Sequence, residues 1–472
     1  MTDMKKILLS ALVLCGLTFM TDAKVSLPAF FADDMVLQQQ TDAVVWGTAK
    51  PDTKVVITTT WSKDKTVVRS DPDGRWSARI ATPVAGGPYE ITFSDGERLT
   101  LKNVLVGEVW ICSGQSNMEM PLKGLAAQPV AKSADMILGA DPAVPIRACK
   151  IHKAMAFEPQ DSCAASWFEN RPSEIGDASA VAYFFAKKLH ECLRVPVGVI
   201  DVSWGGTPIE AWMSADVLKE GFASEFDLSH LENKVWPEKQ SYQAPAALYN
   251  GMMHPLEGLA IKGFLWYQGC SNRHNPEQYK RLQPAFVKML RDRWNDESLP
   301  FYFVQIAPYK HNTPDMMWAQ AQTVAMIPNS GMAATHDVGE RNCIHPARKQ
   351  EVGDRLAYLA LTNDYGLNYI DAKTPIAVKF EFADGEAVVS FDVGELGLSP
   401  RSTDLDGFEL AGEDGVFHPA KANVVRGTNR IKVSKCPQVT KPVAVRYAWS
   451  RWCPPTLFNC SGIPASPFAS DK

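Results

Sequence analysis

Four short stretches of this chain carry residue types that could together do acyl-transfer chemistry. Ser116 sits in the polar turn Ser113-Gly-Gln-Ser-Asn117, flanked by Gln115 and Asn117. A serine hydroxyl is a weak nucleophile unless a base stands beside it. Cys343-Ile-His-Pro346 offers one, since His345 could take the proton from Ser Oγ and return it to a leaving alcohol. The third stretch, Trp266-Tyr-Gln-Gly-Cys-Ser-Asn272, contributes Asn272, whose side-chain amide is a neutral donor suited to a developing oxyanion, and Gln268, expected to line the same site. The fourth, Trp204-Gly-Gly-Thr-Pro-Ile-Glu-Ala-Trp212, sets two glycines where backbone N–H groups could approach a ligand closely. Taken singly, each has a plainer explanation: a turn serine, a capping histidine, a loop amide, a strand-to-helix turn.

The elements that must position these residues decide whether they can meet. Residues 104–112 form an apolar run rich in β-branched and aromatic side chains, read as a buried strand that breaks at Ser113-Gly114. Further strands are expected over residues 197–203, 262–267, 301–306 and 331–335. Helical spacing is found over residues 178–192, 276–294 and 348–362, and Pro346 suits a first helical turn, which would set His345 at a helix entrance. Alternating strands and helices predict an α/β domain over residues 105–370, a mostly parallel sheet with helices on both faces. All four stretches fall just past the carboxyl ends of candidate strands, hence on one edge of that sheet, where open α/β sheets place their chemistry.

The order of these stretches resembles one family. Gly-Gln-Ser-Asn-Met118 is similar to the nucleophile motif of the SGNH-type carbohydrate esterases, specifically the sialate O-acetylesterase group. The other stretches follow in that group's order, and the tail segments Val445-Arg-Tyr-Ala-Trp449 and Pro464-Ala-Ser-Pro-Phe468 also resemble its end. The resemblance implies an SGNH-hydrolase-like fold. It further implies Ser116 as nucleophile, His345 as base, and an oxyanion hole of the Ser116 amide, the Gly206 amide (Gly205 second) and Asn272. Gln115, Asn117 and Gln268 would contact substrate. It implies hydrolysis of acetyl esters on sialic acid, the 9-O-acetyl form included, with no metal or organic cofactor. Two other readings stay open: the same chemistry on another acetylated glycan such as xylan, and a non-catalytic sugar-binding protein.

Two positions depart from the group. It usually has Glu where this chain has Cys270, and often Asp where it has Cys343, two residues before the histidine. The imidazole would then be oriented by a backbone carbonyl, as a Ser-His dyad, or by another acid, for which Asp337 is the candidate. The paired substitution suggests a Cys270–Cys343 disulfide, and Cys453 with Cys460 could close the tail.

The flanks and the composition complete the picture. Residues 24–104 alternate short strands with turns such as Asp71-Pro-Asp-Gly74, which suggests a small β-sandwich acting as scaffold. Period-two alternation returns from residue 371, so a second β-sandwich-like domain with its tail is expected over 371–472. The 472 residues, 46% hydrophobic and 21% charged, have a net charge of −5, which gives no basic footprint for nucleic acid. Lys5 and Lys6, the apolar residues 7–20 and Thr21-Asp-Ala23 read as a signal peptide over 1–23, hence a periplasmic or secreted protein with no membrane insertion once it is removed. Of the 10 cysteines, Cys15 would leave with the signal, and no Cys/His spacing fits zinc.

Overall fold

The computed structural model describes residues 24–472 apart from Ser402, so the expected signal peptide lies outside the described residues. The central sheet has seven strands: β1 (Arg98–Gly114), β2 (Ile146–Ile151), β3 (Ala165–Glu169), β4 (Val197–Ser203), β5 (Gly263–Tyr267), β6 (Phe301–Val304) and β7 (Ser330–Ala333). Their order is β7-β6-β5-β1-β4-β2-β3. Every neighbouring pair is parallel except β2 with β3, an antiparallel edge.

The two faces of β1 show why the sheet is covered on both sides. Successive side chains of a strand point to opposite faces. Trp110 and Cys112 enter one core with Val181, Phe185, Val352 and Leu356, from helices α1 (Ala180–Leu193) and α4 (Lys349–Asn363). Val109 and Ile111 enter the other, with Leu282, Phe286 and Leu290 of α2 (Pro276–Trp294) and Met317 of α3 (Pro314–Thr323). Buried on both faces, β1 reads as an unbroken apolar run. Gly353 lets α1 and α4 touch, because a Cβ there would lie 2.7 Å from Cβ of Phe184.

The strands β2 and β3 escaped the sequence reading. Charged residues interrupt their apolar pattern: Arg147 and Glu169, 3% and 7% exposed, face each other in a 2.7 Å ion pair inside the fold. Such a pair looks like surface sequence until its partner is known.

At 17 residues β1 belongs to two sheets. Its first half pairs with Gly86–Ser94 and Val36–Gln38, and its second half with β4 and β5. The expected boundary at 104/105 therefore falls inside one continuous strand. The amino-terminal region forms two small sheets that face each other through Trp76 and Phe93, rings 5.7 Å apart. In the carboxyl-terminal region seven antiparallel strands, from Ile376–Ala383 to Phe468–Ala469, form a single sheet in place of the expected sandwich. Its first and last strands meet at Phe380 and Phe468, whose rings lie 5.5 Å apart.

The strand ends carry the site, and β1 ends in a crowded place. Gly114 has φ +140°, and a Cβ on it would sit 2.2 Å from the Tyr267 carbonyl oxygen. Left-handed backbone and close approach both require glycine here. Replacing Gly114 with Ala should cost about 3 kcal/mol and displace the turn that follows. Denaturant unfolding together with esterase activity checks this; a variant as stable and active as the parent would show that the crowding is relieved cheaply.

Candidate active site

Three strand ends converge on Ser116. The amide of Gln115 donates to the carbonyl of Tyr267 at the end of β5 (3.0 Å), and Trp204, just past β4, donates to the carbonyl of Gly114 (3.1 Å). Between them the chain makes a single helical turn, Ser116–Glu119. Ser116 Oγ lies 2.7 Å from Nε2 of His345. On the other side of the ring, Nδ1 faces Oε1 of Gln128 in a short contact. An amide oxygen only accepts, so it holds the proton on Nδ1 and leaves Nε2 bare to accept from the serine hydroxyl. Gln128 in turn is fixed by paired backbone bonds between Leu125 and Gln128, both 2.9 Å.

The imidazole is half-buried, and that burial, followed by the charge of Lys349, pushes its pKa below the ordinary value, while Glu119 opposes the shift. The ring is thus biased toward the neutral form a base requires.

The side expected to meet an oxyanion is built from two loops. Asn272 is 5% exposed, and its Oδ1 accepts from the Ile209 amide (3.0 Å) and from Gln268 Nε2 (2.7 Å). Two donors on the oxygen settle which way the amide points. Its Nδ2 gives one hydrogen to Glu210 Oε2 (2.9 Å), leaving the second for a ligand. Burial raises the Glu210 carboxyl pKa. Gly205 packs directly on the nucleophile, since a Cβ there would lie 3.1 Å from Cβ of Ser116. Its N–H is taken by Glu119 Oε2 at 2.5 Å. Gly206, at φ +80°, has its carbonyl held by Gln243 Nε2 (2.6 Å). Among the described residues, the N–H groups of Ser116 and Gly206 have no hydrogen-bond acceptor.

Gln115, Asn117 and Gln268, at most 3% exposed, hold the loops of the site together. Gln115 Oε1 accepts from Gly269 (3.1 Å) and Ser271 (3.4 Å), tying the serine turn to the Asn272 loop. Asn117 donates to the carbonyl of Ile344 at 3.0 Å and accepts from Lys349. Gln268 spends its Nε2 on Asn272 and on the Thr207 carbonyl (3.1 Å). Asp337 does not face His345. It forms a bidentate pair with Arg355 of α4, both bonds 2.7 Å, and this pair ties the loop after β7 to the helix. α4 begins at Lys349, so Pro346 lies outside it.

The expected disulfides are absent, and all nine cysteines among the described residues are free thiols. Cys343 Sγ donates to the His345 carbonyl (3.2 Å), and Cys270 Sγ accepts from Asn312 Nδ2 (3.8 Å). Burial pushes the Cys270 thiol up to about 11. In the tail, Cys453 faces His336 Nε2 at 3.5 Å and Cys460 donates to the Leu396 carbonyl at 3.0 Å. Gln128, Glu119, Glu210 and Lys349 were missed from the sequence. Glu210 lay inside the Trp204–Trp212 stretch and Glu119 and Lys349 beside the serine and histidine stretches, whereas Gln128 lay outside all four.

Gln128 and Asp337 make opposite predictions. Gln128→Leu strips Nδ1 of its acceptor and should lower kcat on the order of 10²-fold. Asp337→Asn should lower the melting temperature through Arg355 and leave kcat within a few-fold, whereas a triad acid would cost about 10⁴-fold. Parallel kinetics and thermal melts of the two variants decide.

Comparison with known proteins agrees with this geometry. Residues 106–362 match the family described as carbohydrate esterase, sialic acid-specific acetylesterase. The chain is 28% identical to sialate O-acetylesterase of Homo sapiens over 496 residues, covering 93% of this chain and 91% of that one. The Rattus norvegicus sialate O-acetylesterase is also 28% identical, with 92% of each chain covered. Among solved structures, a carbohydrate acetylesterase from Xanthomonas citri superposes with a TM-score of 0.85 at 32% identity, covering 95% of this chain and 100% of that one.

Proposed function

The chain belongs to the sialic acid-specific acetylesterase family of carbohydrate esterases and is a carbohydrate O-acetylesterase; from that premise we propose that it removes O-acetyl groups from sialic acid, the 9-O-acetyl form included, through an acetyl-enzyme on Ser116. The observation that carries the mechanism is the 2.7 Å contact of Ser116 Oγ with His345 Nε2, the far side of the ring being held by Gln128.

In this reading Ser116 Oγ attacks the acetyl carbonyl as His345 Nε2 takes its proton. The tetrahedral oxyanion is met by the N–H groups of Ser116 and Gly206 and by the free hydrogen of Asn272 Nδ2, donors already fixed before the charge develops. As the intermediate collapses, the carbon–oxygen bond to the sugar breaks and His345 returns the proton to the departing hydroxyl. Water then repeats the sequence on the acetyl-enzyme and releases acetate. Because Gln128 is neutral, it orients the imidazole without adding the charge stabilisation that a carboxylate gives an imidazolium. Less of the catalysis then rests on the third partner than in a Ser-His-Asp triad.

The sialic acid assignment is supported by the mammalian relatives and by one feature of the site loop. Arg273, next to Asn272, donates to the Cys270 carbonyl at 2.8 Å and forms no ion pair among the described residues. A sugar carboxylate would find a cation without a competing partner there. The apolar segment at 7–20 supports export, which makes glycans outside the cytoplasm the substrates.

The test is acetate release by the purified protein from 9-O-acetylated sialic acid and from acetylated xylo-oligosaccharide, with Ser116→Ala and Arg273→Met alongside. Release from the sialic acid should vanish in Ser116→Ala, and Arg273→Met should raise KM on the acidic sugar about tenfold, the equivalent of about 1.4 kcal/mol. Release from the xylan fragment alone would move the substrate to a neutral glycan and keep the mechanism. Undiminished release by Ser116→Ala would overturn the mechanism itself.

A further inference from the structure

Lys349 opens α4 with its side chain fully buried. A buried amine is costly unless something holds its charge. Among the described residues no carboxylate is ion-paired with it, and its one hydrogen bond runs from Nζ to Oδ1 of Asn117. Below it lies the Tyr267 ring of β5, with Nζ 5.8 Å from the ring centroid. Asn117 completes a bridge, for its Nδ2 donates to the carbonyl of Ile344, the residue before His345. Nucleophile turn, histidine segment and helix α4 therefore meet at one amide and one amine.

We propose that Lys349 is a positioning residue of the esterase, its amine clipping the Ser116 turn to the His345 segment through Asn117 and holding a positive charge against the imidazole. The inference rests on the reading of Ser116 and His345 as nucleophile and base. Other groups facing the amine are the thiols of Cys343 and Cys270 and the carboxyl of Glu340, each of which favours its charged form; burial outweighs them and brings its pKa down to about 7. Around His345 the charges are Lys349, which disfavours the imidazolium, and Glu119, which favours it.

The sign of the effect follows. A cation beside His345 makes the imidazole harder to protonate, so His345 stays a base to lower pH. Lys349→Met removes the cation, raises the pKa of His345 and moves the acid limb of kcat/KM to higher pH. A purely structural lysine would lower activity at every pH without moving the limb. Asn117→Leu keeps the charge and breaks the clip, so kcat should fall about 10- to 100-fold with the acid limb in place.

Hydrolysis of p-nitrophenyl acetate reads both variants independently of the sugar, with Ser116→Ala as control and circular dichroism to confirm folding. An acid limb shared by the parent and folded Lys349→Met overturns the charge role. Unchanged kcat in Asn117→Leu overturns the clip, and this arm stands even where Lys349→Met fails to fold. Hydrolysis surviving in Ser116→Ala would instead strike the underlying assignment of the nucleophile.

Discussion

The site depends on one steric constraint, the close approach of the paired strands β1 and β5 at Gly114. There a carbonyl of one strand occupies the space a side chain of the other would need. The parallel pairing of β1 with β4 and β5 brings three strand ends level, and the absent side chain lets the middle one turn sharply between its neighbours. Ser116 is thereby offered at the sheet edge, with Gly205 against its back and the Asn272 loop at its side. The 17-residue length of β1 adds rigidity, because its first half is anchored in a separate sheet. A nucleophile at the end of a strand held at both ends has little freedom to drift from its base.

The polar residues around that turn divide into those that hold and those that remain free to act. Gln115, Asn117 and Gln268 form internal hydrogen bonds that join loops arriving from different strands, although Gln268 Oε1 stays buried without a partner among the described residues. Asn272 is oriented by partners on its oxygen, so one hydrogen stays unspent. In the proposed mechanism this arrangement fixes an oxyanion donor before any charge appears, which is what makes such donors effective in a low-dielectric site. The histidine follows the same plan on a smaller scale, oriented by a neutral amide on one side and left open on the other.

The sequence carried the sheet edge better than it carried the partners. Ser116, Asn272 and His345 were legible because their stretches follow the order of a family the chain resembles and each falls past a candidate strand, although singly each has a plainer explanation. Gln128 left no such mark: it reaches His345 across 217 residues from a loop whose polar composition resembles any other. Asp337 looked suitable through its closeness in sequence to His345, but Arg355 on the following helix claims both of its oxygens. The single seven-stranded sheet at the carboxyl end could not be told from two stacked sheets, since both show the same period-two alternation. β2 and β3 were hidden by a buried ion pair whose charges read as surface.

In the proposed mechanism Ser116, His345 and Asn272 act on the acetyl group, which leaves the sugar to the rim. Trp204 stacks on Tyr242 with ring centroids 5.4 Å apart and planes 7° from parallel. Lys153 lies over the Trp204 ring at 5.4 Å while pairing with Glu119, whose other oxygen holds Gly205. This aromatic wall is continuous with the oxyanion loop through Gln243 and Gly206. Aromatic faces suit the apolar face of a pyranose ring, and their preference is for shape rather than charge. A site so divided can change the sugar it accepts by altering the wall, while the serine, the imidazole and their fasteners stay as they are.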